Sequence, residues 1–256
     1  MDISIIIVNH NSKEYLLNCL SSIKKVFNSG SYEIIIVNND SKPLDIDLRD
    51  KNIEIFQGNP KLSFGKANNI GASKAKAPLL WFLNPDTEIV SENLENLLKL
   101  LKKNSTGAVG MKLLTKKGVP QKWSAGFKIT PLSIILSNLG FDKNKLIWGS
   151  PLLKEVDWVS GCSFAIKREL FEEIKGFDVD YFMYFEDVDI CKRIKERRKK
   201  IFFFPDMEIL HWGGKSYSNK SLQKKHYYES QRLYLKKHFG IFGSTCIHLL
   251  RLLFSA

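Results

Sequence analysis

A chain of 256 residues, 44% of them hydrophobic, has the material for one large domain with a substantial core. Its net charge of +12 points to an anionic partner and is concentrated in residues 192–237, which carry 14 Lys/Arg against 4 Asp/Glu. Cys19, Cys162, Cys191 and Cys246 lie far apart with no C-x-x-C pair, which argues against a disulfide framework or a zinc site and for a reducing cytosolic compartment.

The opening MDISIIIVNHNS lacks the basic n-region and cleavage site of a signal peptide. Ile3–Val8 is instead a β-branched run suited to a buried parallel strand. Leu16, Leu17, Leu20, Ile23 and Phe27 follow at helical spacing. Ile34–Val37 and Ile53–Phe56 predict two further strands, and 64–76 predicts a helix. Leu79–Leu83 predicts a fourth strand, and Leu94–Leu101 returns to helical periodicity. This alternation implies an α/β domain with a mostly parallel sheet flanked by helices. Ligands of such sheets bind beyond the carboxyl ends of the strands. The polar clusters Asn9–Ser12, Asn38–Ser41 and Asn84–Thr87 stand at three such ends.

Residues 113–156 have weaker periodicity and scattered Gly and Pro, so irregular structure with a mobile loop is expected there. A strand-like pattern resumes over Val156–Ile166 around Ser160-Gly161-Cys162, and short helices are expected over Arg168–Ile174 and Val188–Arg198. Ile201–Phe204 is a strand ended by Pro205, before His211-Trp212-Gly213-Gly214. The apolar tail Phe239–Phe254 is shorter than the roughly 20 apolar residues of a spanning helix. It fits either a membrane interface or packing on the domain.

Chemistry concentrates in Gly176–Arg193, where Asp178, Asp180, Glu186, Asp187 and Asp189 sit among Phe177, Tyr181, Phe182, Tyr184 and Phe185. Neighbouring acids beside an apolar wall raise one another's pKa, which is one way to make a general base near neutral pH. A helix N-terminus with stabilising acids accounts for Asp187 and Asp189 but not for the aromatic residues before them. Helical spacing turns Asp189 away from Asp187 and toward Arg193. Asp86, past a buried strand and stiffened by Pro85, could hold Mg²⁺ or Mn²⁺ with waters and phosphate oxygens, or merely belong to a strand-ending turn. Alone, His211 could be a metal ligand or structural.

The order of the pieces is more specific than any one of them. IIIVNHNS, IIIVNNDS, FGKANNIGA, LLWFLNPDTEI, VSGCSFAIKRELFEEIKGFD, YFMYFEDVDICKRI, FPDMEILHWGGKS and HYYESQRLYLKKHFG occur in sequence. In these the chain resembles the family 2 glycosyltransferases of GT-A fold, especially bacterial rhamnosyltransferase-like enzymes. The resemblance implies that Asn84-Pro85-Asp86 stands for the family's D-x-D metal motif, with Asp86 and His211 near a divalent cation and Asn84 in place of the first Asp. It implies a nucleotide-sugar site with Val8, Asn9, Asn11, Asn38, Asn68 and Gly71. Asn38 replaces an Asp that contacts the base in many members. Glu186-Asp187 matches the E-D motif, making Asp187 the expected base and Glu186 its rival. Trp158, Gly161, Tyr184 and Phe185 are the acceptor-site candidates.

The implied organisation is a catalytic domain over 1–215, with a nucleotide-sugar half to about 112 and an acceptor half beyond it, then a helical extension over 216–256. The expected activity is inverting, metal-dependent transfer in cell-surface polysaccharide synthesis. A deoxyhexose from dTDP-rhamnose is the favoured donor, and a UDP- or GDP-sugar is the alternative. The acceptor is expected to be a glycan or polyprenyl-linked sugar, with the protein peripheral at an anionic inner membrane face. The basic segment with Tyr227, Tyr228 and Tyr234 would also permit nucleic-acid binding. That reading leaves the ordered strand-end motifs and the acidic cluster unexplained, so no nucleic-acid partner is expected.

Overall fold

The computed structural model describes residues 1–27, 31–46, 50–213 and 220–254, and the side chains at 242, 244 and 246–254 fall outside that description. Gly214, Lys215 and Ser216 of the HWGGKS motif, with the residues to 219, therefore lie outside it.

The elements run β1 (Ile3–Asn9), α1 (Lys13–Val26), β2 (Tyr32–Asn38), β3 (Ile53–Gln57), α2 (Phe64–Lys74), β4 (Leu79–Leu83), β5 (Thr87–Ser91), α3 (Leu94–Lys102) and β6 (Thr106–Thr115). They continue with β7 (Ala125–Gly126), α4 (Pro131–Asn138), α5 (Lys145–Trp148), β8 (Lys154–Val156), β9 (Trp158–Val159), β10 (Ser163–Lys167) and α6 (Arg168–Glu173). The last are α7 (Glu186–Glu196), β11 (Lys200–His211) and α8 (Lys220–Phe254).

One sheet organises the fold in the order β3-β2-β1-β4-β10-β6-β11-β5, with β8 also paired to β11. From β3 to β4 the strands are parallel, as their continuous apolar sequences predict. Beyond β4 the sheet is mixed, because β10 runs antiparallel to both β4 and β6 while β11 runs parallel to β6. Successive side chains of β1 point to opposite faces. Ile3, Ile5 and Ile7 pack with Leu16, Leu20 and Ile23 of α1 and Leu97 and Leu101 of α3. Ile6 packs on the other face, with residues of α2, α6 and α7 and with Tyr234 and Leu235 of α8. Thus α8 belongs to the same hydrophobic core as the sheet.

Three findings differ from the sequence expectation. β11 does not stop at Pro205; it runs on to His211 with a register shift between Phe204 and Glu208. An irregular stretch absorbs the missing proline N–H and lets pairing with β6 resume. Residues 113–156 are organised rather than irregular, holding the end of β6, then β7, α4, α5 and β8. Finally, α8 kinks at Gly240, whose φ of 71° suits glycine. Among the described residues, no helix is long and apolar enough to cross a membrane.

Candidate active site

A cleft of about 1080 Å³ opens beyond the carboxyl ends of β1 and β4. It brings together Val8, Asn84, Asp86, Trp158, Gly161, Tyr184, Phe185, Glu186, Asp187 and His211, residues drawn from distant parts of the sequence. The sheet explains the meeting. β4 delivers Asn84-Pro85-Asp86 at its end, and antiparallel pairing of β11 with β5 sets His211 opposite Thr87.

Asp86 and His211 form the cationic corner. His211 Nε2 lies 3.3 Å from Asp86 Oδ1, and both side chains are largely buried. The other ring nitrogen, Nδ1, lies 2.8 Å from Gln121 Oε1, so Gln121 fixes the orientation of the imidazole. Burial opposes a charge on His211, but Cys162 and Asp86 push its pKa upward. Burial also raises the Cys162 thiol. One carboxylate and one imidazole leave most of a divalent ion's coordination to phosphate oxygens and water, as is usual where a metal binds together with a phosphorylated substrate. Among the described residues, no group of three or more His, Cys, Asp and Glu side chains is placed to hold a metal unaided. The donors present thus fit a cation shared with a diphosphate rather than one caged by protein.

The carboxylates of α7 divide sharply. Tyr184 and Phe185, just before the helix, both adopt left-handed backbone, with φ of 70° and 65°. This is a strained conformation for aromatic residues. It turns the chain so that Glu186 and Asp187 enter the cleft at the helix N-terminus. The Gly161 N–H donates to Asp187 Oδ2 at 3.0 Å, and the Val188 N–H donates to Oδ1 at 2.9 Å. Burial raises the Asp187 pKa while these amides favour the charged form. Glu186 is raised further, chiefly by burial and then by Asp187, and its Oε2 has no hydrogen-bond partner. Two backbone amides therefore favour a charged Asp187, whereas Glu186 Oε2 has no such donor among the described residues.

Asp189 faces away and is fully buried. Arg193 Nε donates to it at 2.7 Å, Lys237 Nζ donates at 2.8 Å, and His238 Nε2 lies 2.8 Å away. Against the cost of burial, His238, Arg193 and Lys237 hold its pKa well below the usual carboxylate range. Asp189 therefore ties α7 to α8.

Five sequence candidates do not line the cleft. Asn38 is buried and its amide donates to Lys42 O and Gln57 Oε1, while its Oδ1 accepts from Asn9. Asn9 also donates to Asp40, which in turn accepts from the backbone N–H of Asn11. Asn68 is buried and donates to Phe64 O. A Cβ at Gly71 would come within 2.5 Å of Ile6 Cγ2, so this glycine lets α2 lie against β1. These residues shape the loops behind the site.

Other lining residues include His10 and Asn39 of the two polar clusters and Tyr227, read from sequence only as compatible with nucleic-acid binding, while Gln121, Trp123, Gln223 and His226 were not singled out from sequence. Gln223 donates to the Tyr184 hydroxyl at 2.8 Å, and Tyr227 stacks near both Tyr184 and Phe185. The helical extension is therefore one wall of the cleft, and a boundary at 215 does not separate it from the site. The aromatic residues of HYYES were the sequence signal, but helical periodicity alone does not say what they face.

A cleft at the strand ends, with a carboxylate–imidazole pair and a buried acidic pair, fits a nucleotide-sugar transferase of GT-A fold. A model of glycosyl transferase family 2 matches residues 4–189, and the chain belongs to that family. It is therefore a glycosyltransferase. It is 26% identical over 242 residues to a low-salt glycan biosynthesis hexosyltransferase, Agl10, of Haloferax volcanii, covering 91% of this chain and 72% of that one. It is 25% identical over 236 residues to the rhamnosyltransferase WbbL of Escherichia coli, covering 86% of each. A 61-residue stretch is 38% identical to an N-acetylglucosaminyl-diphospho-decaprenol L-rhamnosyltransferase of Mycobacterium tuberculosis, covering 24% of this chain and 20% of that one. Among solved structures, a mannosyltransferase of Pyrobaculum calidifontis, in complex with GDP-Man and Mn²⁺, superimposes with a TM-score of 0.64 at 16% identity. That match covers 93% of this chain and spans 64% of the mannosyltransferase, and it supports the GT-A fold.

Proposed function

We propose that the chain is an inverting, metal-dependent hexosyltransferase moving a sugar, with rhamnose favoured, from a nucleoside-diphosphate donor to a lipid-linked glycan acceptor. The observation that carries the proposal is the sharing of one cleft by Asp187, on its two backbone N–H groups, and the Asp86–His211 pair. The names of the Escherichia and Mycobacterium relatives favour rhamnose, and the second also favours a diphosphate-lipid acceptor.

Glycosyl transfer develops oxocarbenium character at the sugar and negative charge on the departing diphosphate. Asp86 and His211 would hold a divalent cation, as Mn²⁺ accompanies the nucleotide sugar in the Pyrobaculum mannosyltransferase. When bound, such an ion neutralises charge on the leaving group. Asp187 accepts the proton of the attacking acceptor hydroxyl. The Gly161 and Val188 amides keep its carboxylate oriented as it does so. Trp158, Tyr184 and Phe185 provide apolar surface for a sugar ring. Nothing in the cleft is needed as a covalent nucleophile, so one displacement inverts the anomeric centre.

The test is to incubate the protein with a panel of dTDP-, UDP- and GDP-sugars, a diphospholipid sugar acceptor and Mn²⁺, then assign the product anomer by NMR. Inverted product formed only with metal is expected. A retained anomer, or full turnover in chelator, would overturn the mechanism.

A further inference from the structure

Helix α4, PLSIILSN, carries Leu132, Ile134, Ile135 and Leu136 beside the polar Ser133, Ser137 and Asn138, yet contains no buried residue. Here only one side is occupied, where Ile134 and Ile135 pack on the core and α4 rests on α8. The opposite side presents Leu132 and Leu136 in one stripe. Leu139, Phe141, Leu146 and Leu152 continue the exposed surface along the chain toward β8. Leu132, Phe141 and Leu146 are 64%, 73% and 72% exposed, a run of exposed large apolar side chains within one short stretch of chain.

We propose that this α4–α5 surface seats the protein on an anionic lipid bilayer. Charge selects that occupant. Lys128, Lys143, Lys145 and Lys154 occur along the patch with Asp142 as the acid among them, in a chain of net charge +12. Apolar side chains entering the acyl boundary with lysines at headgroup level is the arrangement of interfacial helices. Position supports it as well. Trp123 is half exposed, its ring lies 5.7 Å from that of Trp148 of α5, and it also lines the cleft, as does Ile129 just before α4. Such indoles favour the headgroup level of a bilayer. After the kink at Gly240, α8 passes α4, where Gly243 approaches Pro131. The patch therefore borders the cleft mouth, and its biological sense rests on the lipid-linked acceptor proposed above.

The test uses the full chain and sedimentation with vesicles of equimolar phosphatidylglycerol and phosphatidylcholine, against phosphatidylcholine alone. Wild type should pellet with the anionic vesicles, and Leu132→Glu/Phe141→Glu/Leu146→Glu should lower the partition coefficient at least about tenfold. Lys143→Ala/Lys145→Ala should weaken binding several-fold, with a smaller salt dependence. Nucleotide release from a soluble donor should be unchanged in both variants, because none of these residues lines the cleft. Failure of wild type to pellet, or equal pelleting of the triple variant, would overturn the surface. A wild-type dimer that the triple variant converts to monomer without loss of vesicle binding would assign the patch to a second copy. Vesicle binding without turnover of any donor would refute the catalytic reading and leave the surface standing.

Discussion

The two sides of the cleft are built on opposite rules. On the β1–β2 side, the amides of Asn9 and Asn38, the Asp40 carboxylate and Gln57 are engaged with one another and with loop backbone. On the α7 side, a carboxylate oxygen of Glu186 lacks a partner, two aromatic residues hold left-handed backbone, and exposed apolar side chains run along α4. The first side engages most of its polar groups with its own loops, although Asn9 Oδ1 and Asn39 Oδ1 are buried there without a partner among the described residues, and the second adds a partnerless carboxylate oxygen to strained backbone. Local rules that fail together mark where substrate, rather than protein, completes the structure.

The most severe way to break this contrast is Asp187→Asn. Transfer should fall by about 10³-fold while donor affinity by calorimetry stays within error. In wild type, kcat should fall as pH drops through the raised Asp187 pKa, because the base must be ionised. Near-normal turnover of the variant would remove the base assignment.

Asp189→Asn should instead cost about 3–5 kcal/mol in denaturant unfolding, since it leaves Arg193 and Lys237 facing a neutral amide. The native pKa of Asp189 is lowered, so its stabilisation is complete above the ordinary carboxylate range. It is lost as pH falls through that lowered value. The wild-type advantage over the variant should therefore shrink on acidification, and a constant difference would refute the assignment. Asp86→Ala should lower metal-stimulated turnover by about 10²–10³-fold and abolish the Mn²⁺-induced rise in Tm measured with nucleoside diphosphate present.

On the β1–β2 side, Asn38→Leu, which removes the amide bonds to Lys42 and Gln57, should cost about 1–3 kcal/mol of stability. Nucleotide affinity of the folded fraction should change little, and a loss confined to affinity would make Asn38 a ligand. The smallest effect is expected from Glu186→Gln. With Asp187, held by two backbone amides, as the base, the acid limb of the kcat profile should stay in place. A displaced limb would mean that Glu186 carries the charge.

Strand and helix positions were legible wherever periodicity met a buried face, as in Ile3–Asn9, Leu79–Leu83 and Lys13–Val26. Thr106–Thr115 escaped because glycines at 107 and 110 interrupt its pattern, though tight packing over those glycines is what holds the strand. The strand through Pro205 escaped because a bulge repairs a residue that ordinarily ends pairing. Within the site, Glu186, Asp187, Asp86 and His211 were legible from motif order. Asn9, Asn38, Asn68 and Gly71 follow the same motifs but do not line the cleft: the two asparagines at strand ends bond to each other and to loop neighbours, Asn68 bonds within α2, and Gly71 packs on β1. Gln121 and the α8 wall depend on contacts across 90 residues or with distant loops, which no local pattern encodes.

The Asp189 anchor also bears on how the protein could be divided. The family match stops at residue 189, while all three basic partners of that carboxylate, Arg193, Lys237 and His238, lie beyond it. A fragment cut to the shared family segment would end on a buried carboxylate with these partners removed and the stacking of Tyr227 on Phe185 gone. A cut at that point would also take β11 out of the sheet between β6 and β5, so the matched segment and the residues beyond it are one thermodynamic unit.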